Sequence, residues 1–128
     1  MIGLDTNVLV RFIMRDDAAQ TARADALIDG LGPGEGFVAL LVLAELHWTL
    51  TRSYGLRSHQ SAEAIAELLR AAEVRLEAPA VVRAALRLTH AGADFADAVI
   101  AGTAAEAGCT TTFTFDRRAA RHPDMTLL

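Results

Sequence analysis

Hydrophobic and polar positions along the chain switch repeatedly between a short apolar run and a helical period. Met1 to Leu4 is a short apolar run that predicts a buried strand, and Asp5-Thr6-Asn7 after it supplies helix-start chemistry. Val8, Leu9, Phe12 and Ile13 follow at helical spacing, and a second helical stretch from about Asp17 to Leu31 is broken by Gly32-Pro33-Gly34. Gly36 to Ala39 predicts a second strand. The helical pattern resumes from about Val42 to Tyr54 and stops at Gly55, a good C-cap. Ser58 or Ser61 caps the next helix, which runs to about Ala72. Val74-Arg75-Leu76 alternates as a third strand, and Pro79 opens another helix in its favoured first turn, stopped by Ala91-Gly92. A further helix covers about Phe95 to Ala107 and is closed by Gly108. Thr110 to Phe115, rich in β-branched and aromatic residues, predicts a fourth strand. Asp116 to Arg121 reads as a short helical turn and Met125 to Leu127 as an edge strand.

Short strands alternating with helices predict an α/β fold with a mainly parallel sheet of four to five strands, right-handed crossovers and helices on both faces. No repeat or linker divides the chain, and 128 residues suit a single domain over residues 1–128. In such sheets the site lies at the carboxyl ends of the strands. Polar residues at strand exits therefore carry the functional question.

Composition narrows the answer. A hydrophobic fraction of 52% excludes a disordered chain, and no apolar run approaches the ~20 residues needed to span a bilayer. Asp5 and Asn7 interrupt the first apolar run, so it does not read as a signal peptide. The one cysteine, Cys109, excludes a disulfide framework and a Cys-based zinc site, and a cytoplasmic protein is expected. All 12 basic residues are Arg, which removes a Walker-type phosphate loop and Schiff-base chemistry, both of which need Lys. A net charge of −4 argues against a scaffold that works by neutralising many phosphates. It is compatible with a nuclease whose site is acidic because it holds metal ions.

Four carboxylates stand out. Asp5 leaves the first predicted strand and Asp116 the fourth; an N-cap role is the plain alternative for each. Glu45 interrupts an apolar run, with Leu41, Val42 and Trp48 at helical spacing, although a Glu at the edge of the core face accounts for it too. Asp97 shares a face with Ile100, Ala101 and Ala104, where a lone carboxylate is costly unless a cation or donors meet it. Asp94, three residues earlier, is well placed to cap the same helix. Gathered together, these groups would repel and raise one another's pKa values unless a divalent cation neutralised them. Hard oxygen ligands with no Cys or His cluster select Mg²⁺ or Mn²⁺, and the matching chemistry is metal-assisted hydrolysis of a phosphoester.

The same residues resemble the motifs of PIN-domain ribonucleases, and most closely VapC-type toxins of bacterial toxin–antitoxin pairs. Met1-Ile2-Gly3-Leu4-Asp5-Thr6-Asn7 is similar to the family's first strand with its metal-binding Asp. Leu43-Ala44-Glu45-Leu46 looks like the second motif. Ala93-Asp94-Phe95-Ala96-Asp97 looks like the third, with Asp94 as accessory acid. Thr112-Phe113-Thr114-Phe115-Asp116 resembles the fourth. The order and spacing cover nearly the whole chain. Where an aromatic often follows the last acid, Arg117-Arg118-Ala119-Ala120 stands here. The resemblance implies a three-layer α/β/α sandwich and an endoribonuclease site of Asp5, Glu45, Asp97 and Asp116. One or two Mg²⁺ or Mn²⁺ ions would be held by these acids with Asp94. Asn7, Thr114 and Thr6 would orient acid or water. It further implies products with 5′-phosphate and 3′-hydroxyl ends, a homodimer, and a cognate antitoxin to which any DNA binding would belong.

Arg11 and Arg15, one helical turn apart, and Arg117, Arg118 and Arg121 are placed to hold RNA phosphates, with solvated helix faces as the alternative. His47, His59, His90 and His122 share no metal-ligand spacing and are expected at surface or boundary positions; Trp48 is expected in the core. An aspartyl-phosphate enzyme built on Asp5 would need an Asp where Asn7 stands, and a Lys. An RNA-processing nuclease outside a toxin–antitoxin pair, and an RNA- or protein-binding module with weak catalysis, remain as alternatives.

Overall fold

The computed structural model describes residues 1–128 and divides into two compact units, Met1–Ala78 and Pro79–Leu128. The first contains β1 (Ile2–Gly3), α1 (Thr6–Met14), α2 (Ala18–Asp29), β2 (Gly36–Val38), α3 (Leu40–Trp48), α4 (Ser58–Arg70) and β3 (Val74–Leu76). The strands pair in parallel in the order β1-β2-β3, with Ile2 opposite Gly36 and Val38 opposite Leu76. Flanking backbone bonds lengthen this ladder: Leu4 N–H donates to the Phe37 carbonyl at 2.8 Å and Glu77 N–H to the Val38 carbonyl at 2.9 Å. Gly36 sits where a Cβ would lie 3.0 Å from Leu31 Cδ1 and 3.1 Å from Leu4 Cδ1, so a larger residue there would make both leucines shift.

Leu9, Val38, Leu43, Leu46, Leu50, Ala62 and Ile65 are fully buried and form the core of this unit. Asp17 caps α2 by accepting the Gln20 N–H at 3.0 Å. Sequence pattern predicts one helix over about 42–54, whereas the α-helix ends at Trp48 and continues as a π-helical turn, Thr49–Ser53, closed by Tyr54 N–H on the Thr49 carbonyl. Thr51 Oγ1 donates to the His47 carbonyl at 2.8 Å, the kind of side-chain bond that competes with the regular ladder. Gly55, with φ +68°, then reverses the chain in a conformation other residues adopt only with strain.

The second unit contains α5 (Pro79–His90), α6 (Phe95–Glu106), β4 (Thr112–Thr114), a 3₁₀ turn (Ala119–Arg121) and β5 (Met125–Leu127). β4 and β5 pair in parallel, Thr112 opposite Met125 and Thr114 opposite Leu127. α5 packs on α6 at a close approach, since a Cβ on Gly102 would meet Val81 Cγ1 at 3.1 Å. Phe95, Val82, Ala85, Ala98 and Ala101 are buried here, and Ala101 joins Ala119 and Met125 in a small apolar cluster. The α/β class read from the sequence is therefore the observed one. Every strand pairing is parallel, with three strands in one sheet and two in another.

Both units depend on single large side chains. Leu46→Ala is expected to lower stability by about 2–5 kcal/mol and Phe95→Ala by about 3–5 kcal/mol, read as shifts of the urea midpoint.

Candidate acidic site

In the first unit the parallel pairing of β1 and β2 brings their carboxyl ends, and so the starts of α1 and α3, to one edge of the sheet. Asp5 occupies the N-cap position of α1 in extended backbone (φ −83°, ψ 160°), yet its side chain makes no capping hydrogen bond. The simple capping role thus does not account for its carboxylate. Thr6, the next residue, is buried, and its Oγ1 donates to Glu45 Oε2 at 2.6 Å. That short bond to a charged acceptor ties the second turn of α3 to the first turn of α1. Glu45 itself is exposed, and so are its neighbours Leu41, at 68%, and Trp48. The apolar company that makes Glu45 conspicuous in sequence faces outward, while Leu43, Leu46 and His47 form the buried side of α3.

Asn7 is exposed and lines a cleft of about 410 Å³ together with Arg11, Gln20 and Arg23. The two arginines expected near phosphate are engaged elsewhere. Arg11 Nη1 lies 3.1 Å from Asp16 Oδ1 and donates to the Tyr54 hydroxyl, while its Nε donates to Gln20 Oε1 at 2.6 Å. Arg15 grips Asp25 through two bonds of 2.7 and 3.0 Å. The Tyr54 hydroxyl, with Arg11 behind it, holds the Asp16 carboxyl below the usual carboxylate range, and Arg15 does the same to Asp25.

In the second unit Asp97 feels the charges of two other acids, Asp94 and Asp116. Asp94 Oδ1 caps α6 by accepting the Asp97 N–H at 3.0 Å. Asp116 follows β4, its N–H donating to Thr114 Oγ1 at 3.0 Å, so the hydroxyl two residues before the acid shapes the turn that presents it. Asp116 Oδ1 accepts the N–H groups of Arg118 at 2.8 Å and Ala119 at 3.2 Å, a capping role for one of its two oxygens. Asp97 is half-buried in the first turn of α6, with Ala101 buried and Ile100 exposed on its face. Burial first, then the charges of Asp94 and Asp116, push its pKa above the ordinary carboxyl value; Arg118 and His122 partly oppose this.

A cleft of about 310 Å³ opens beside these acids, lined among others by Asp94, Asp97, Arg118, Arg121 and His122. Its histidine is a departure from expectation. His122 is 8% exposed, and its Nδ1 accepts the Asp124 N–H at 3.0 Å. In a neutral ring that leaves the proton on Nε2, which is buried without a hydrogen-bond partner. A donor left so costs about 1–3 kcal/mol. His47 is also buried, its Nδ1 2.9 Å from Ser61 Oγ, so two of the four histidines are interior rather than at the surface. Neither lies in a spacing that marks it in sequence, because each finds its partner through the fold. Trp48, expected in the core, lies instead at the surface with Arg52 5.6 Å over its ring.

No three His, Cys, Asp or Glu side chains stand close enough together to hold a metal ion unaided. The donor chemistry nonetheless suits Mg²⁺ or Mn²⁺, which are commonly bound through one or two carboxylates with waters and substrate phosphate completing the shell. The ion pairs Arg11–Asp16, Arg15–Asp25, Arg70–Glu63 and Arg70–Glu67 involve none of the five candidate carboxylates. The excess negative charge felt by Asp97 is the electrostatic signature that a cation would relieve.

A protein-family profile described as "PIN domain" matches residues 2–124. Comparison with curated proteins found no match. The chain therefore belongs to the PIN-domain family, a nuclease-type fold whose nucleases generally use divalent metals.

The raised pKa of Asp97 fixes a sign. Between its unfolded and folded pKa values the native state binds more protons, so stability falls as pH rises through that window, and the deficit persists above it. Asp97→Asn is expected to raise the urea midpoint at pH 7 without metal. The gain should fade once the medium is acidified below about pH 4, the ordinary carboxyl range.

Proposed function

From membership of the PIN-domain family, we propose that the chain is a divalent-metal-dependent endoribonuclease that hydrolyses RNA phosphodiesters as the toxin of a toxin–antitoxin pair. The observation that carries this reading is the half-buried Asp97, its pKa raised by burial and by the charges of Asp94 and Asp116 and its carboxylate held in no ion pair. Asp5, Glu45, Asp97 and Asp116, with Asp94, are the proposed ligands in a single PIN domain. Mg²⁺ or Mn²⁺, when bound, supplies activation of water and neutralisation of phosphate charge.

The chain's own residues supply the orientation. Thr6 holds Glu45 through a 2.6 Å bond, so that one carboxylate oxygen is fixed while the other stays available. Thr114 and the following backbone amides similarly fix the Asp116 turn and one of its oxygens. The Asp5 side chain, uncommitted to its helix, is free to bind. Asn7, exposed in the first turn of α1, is proposed to orient water or phosphate. Of the expected phosphate contacts we retain Arg117, Arg118 and Arg121, since Arg11 and Arg15 are bound to carboxylates.

A cognate antitoxin, a homodimer and a cytoplasmic location belong to the same proposal. Exposed large apolar side chains, Leu41 at 68% and Phe115 at 81%, support a protein partner, and no helix is long and apolar enough to cross a membrane.

The purified chain, free of antitoxin, is expected to cleave a labelled structured RNA with Mg²⁺ or Mn²⁺ and not with EDTA. Asp5→Asn and Asp97→Asn should each reduce the rate by more than about 100-fold. Cleavage that persists in both variants, or with EDTA, would overturn the assignment. Thr6→Val should reduce the rate by roughly 10–100-fold with an unchanged circular dichroism spectrum, and Thr6→Ser should restore it.

A further inference from the structure

The cleft beside Asp94 and Asp97 is lined by groups of both signs. Those two carboxylates share it with Arg118, Arg121 and His122. Unlike Arg11 and Arg15, the guanidinium groups of Arg118 and Arg121 form no ion pair. His122 is 8% exposed and its Nδ1 is occupied by the Asp124 N–H, so a buried Nε2–H is left without an acceptor. Three donors, two of them permanently cationic and none satisfied by a carboxylate, call for an anion with several oxygens. A volume of about 310 Å³ suits a phosphate with part of its nucleoside rather than a longer stretch of strand.

We propose that Arg118, Arg121 and the Nε2–H of His122 form a subsite for one phosphate group of the RNA, next to Asp94 and Asp97. This rests on the nuclease reading for its ligand, and it explains how a phosphate is tolerated beside two acids. Arg118, Arg121 and His122 donate to the phosphate oxygens, while Asp94 and Asp97 are left for the proposed cation. His122 is a positioning residue in this scheme. Its Nδ1 bond to the Asp124 backbone sets the ring, and its other nitrogen serves the ligand.

The two nitrogens can be separated by substitution. His122→Asn keeps an acceptor near the Nδ1 position and removes the Nε2 donor, whereas His122→Gln keeps a donor near the Nε2 position. Calorimetric titration of the full chain with 5′-AMP and with adenosine, both with Mg²⁺ present, reads the subsite without turnover. The wild type is expected to prefer 5′-AMP. His122→Asn and Arg121→Gln should each weaken that binding about tenfold, and His122→Gln should weaken it less than His122→Asn. In RNA cleavage His122→Asn should raise KM more than it lowers kcat. Urea midpoints of the variants establish that each remains folded.

Equal affinity for 5′-AMP and adenosine, no binding of 5′-AMP by the wild type, or unchanged binding in folded His122→Asn would overturn the subsite. Metal-dependent cleavage of RNA alongside any of these results would sink the subsite and leave the nuclease standing. Selective binding of 5′-AMP through His122 and Arg121 without cleavage of any RNA would support the subsite and sink the nuclease.

Discussion

Strands of two or three residues cannot hold a sheet by their own ladder, and this governs how the rest of the molecule is built. Each strand is instead fixed by what packs on it. Val38 in β2 and Leu4 just beyond β1 are buried, as are Val74 and Leu76 on the same side of β3. Gly36 stands where a Cβ would press on the side chains of both Leu4 and Leu31. Once the strands are so short, their exits are defined by a single residue each. Asp5 then follows Leu4 directly into the N-cap of α1, and Asp116 follows β4 within two residues. The placement of the acids is thus a consequence of packing behind them.

What the acids do with their charge differs from one to the next, and hydrogen bonds decide it. Asp94 spends one oxygen on capping α6, and Asp116 one on the amides of the turn after β4. Glu45 takes the hydroxyl of Thr6. Asp97 has no such donor; half-buried and flanked by two acids, it is the group whose ionisation is hardest. A fully satisfied set of carboxylates would be stable and inert. Partial satisfaction orients Asp94, Asp116 and Glu45 through one oxygen each and leaves their other oxygens open, the arrangement the proposed metal site requires.

The elements were legible in sequence because their signals are local. Val74–Leu76, the start of α5 at Pro79 and Met125–Leu127 fall where alternation and the Pro rule place them, since each depends on a few adjacent residues. The end of α3 was not legible, because no breaker residue marks it: the chain passes at Thr49 into a π turn within an unbroken helical pattern. Burial in α3 misled for a different reason. Its residues are apolar all round, so periodicity could not say that Leu41 and Trp48 face outward while His47 faces in. The acids were found through their order along the chain. The roles of Thr6 and Thr114 were legible only as motif neighbours, whereas the bonds that give them physical content span 39 residues in one case and 2 in the other.

Arginine shows the same division between what composition says and what the fold adds. With no Lys in the chain, every fixed positive charge is a planar guanidinium able to form forked bonds to oxyanions. In sequence, Arg11 and Arg15 look equivalent to Arg118 and Arg121, since both pairs follow a candidate acid at helical spacing. The structure separates them by counter-charge. Arg11 and Arg15 meet Asp16 and Asp25, and their bonds fasten α1 to its neighbours. Arg118 and Arg121 meet no carboxylate within bonding distance and stand beside a buried, unsatisfied histidine donor. Ion pairs thus account for the first pair as structure. The second pair forms no ion pair, so its guanidinium groups remain available to an anion in the cleft they share with Asp94 and Asp97.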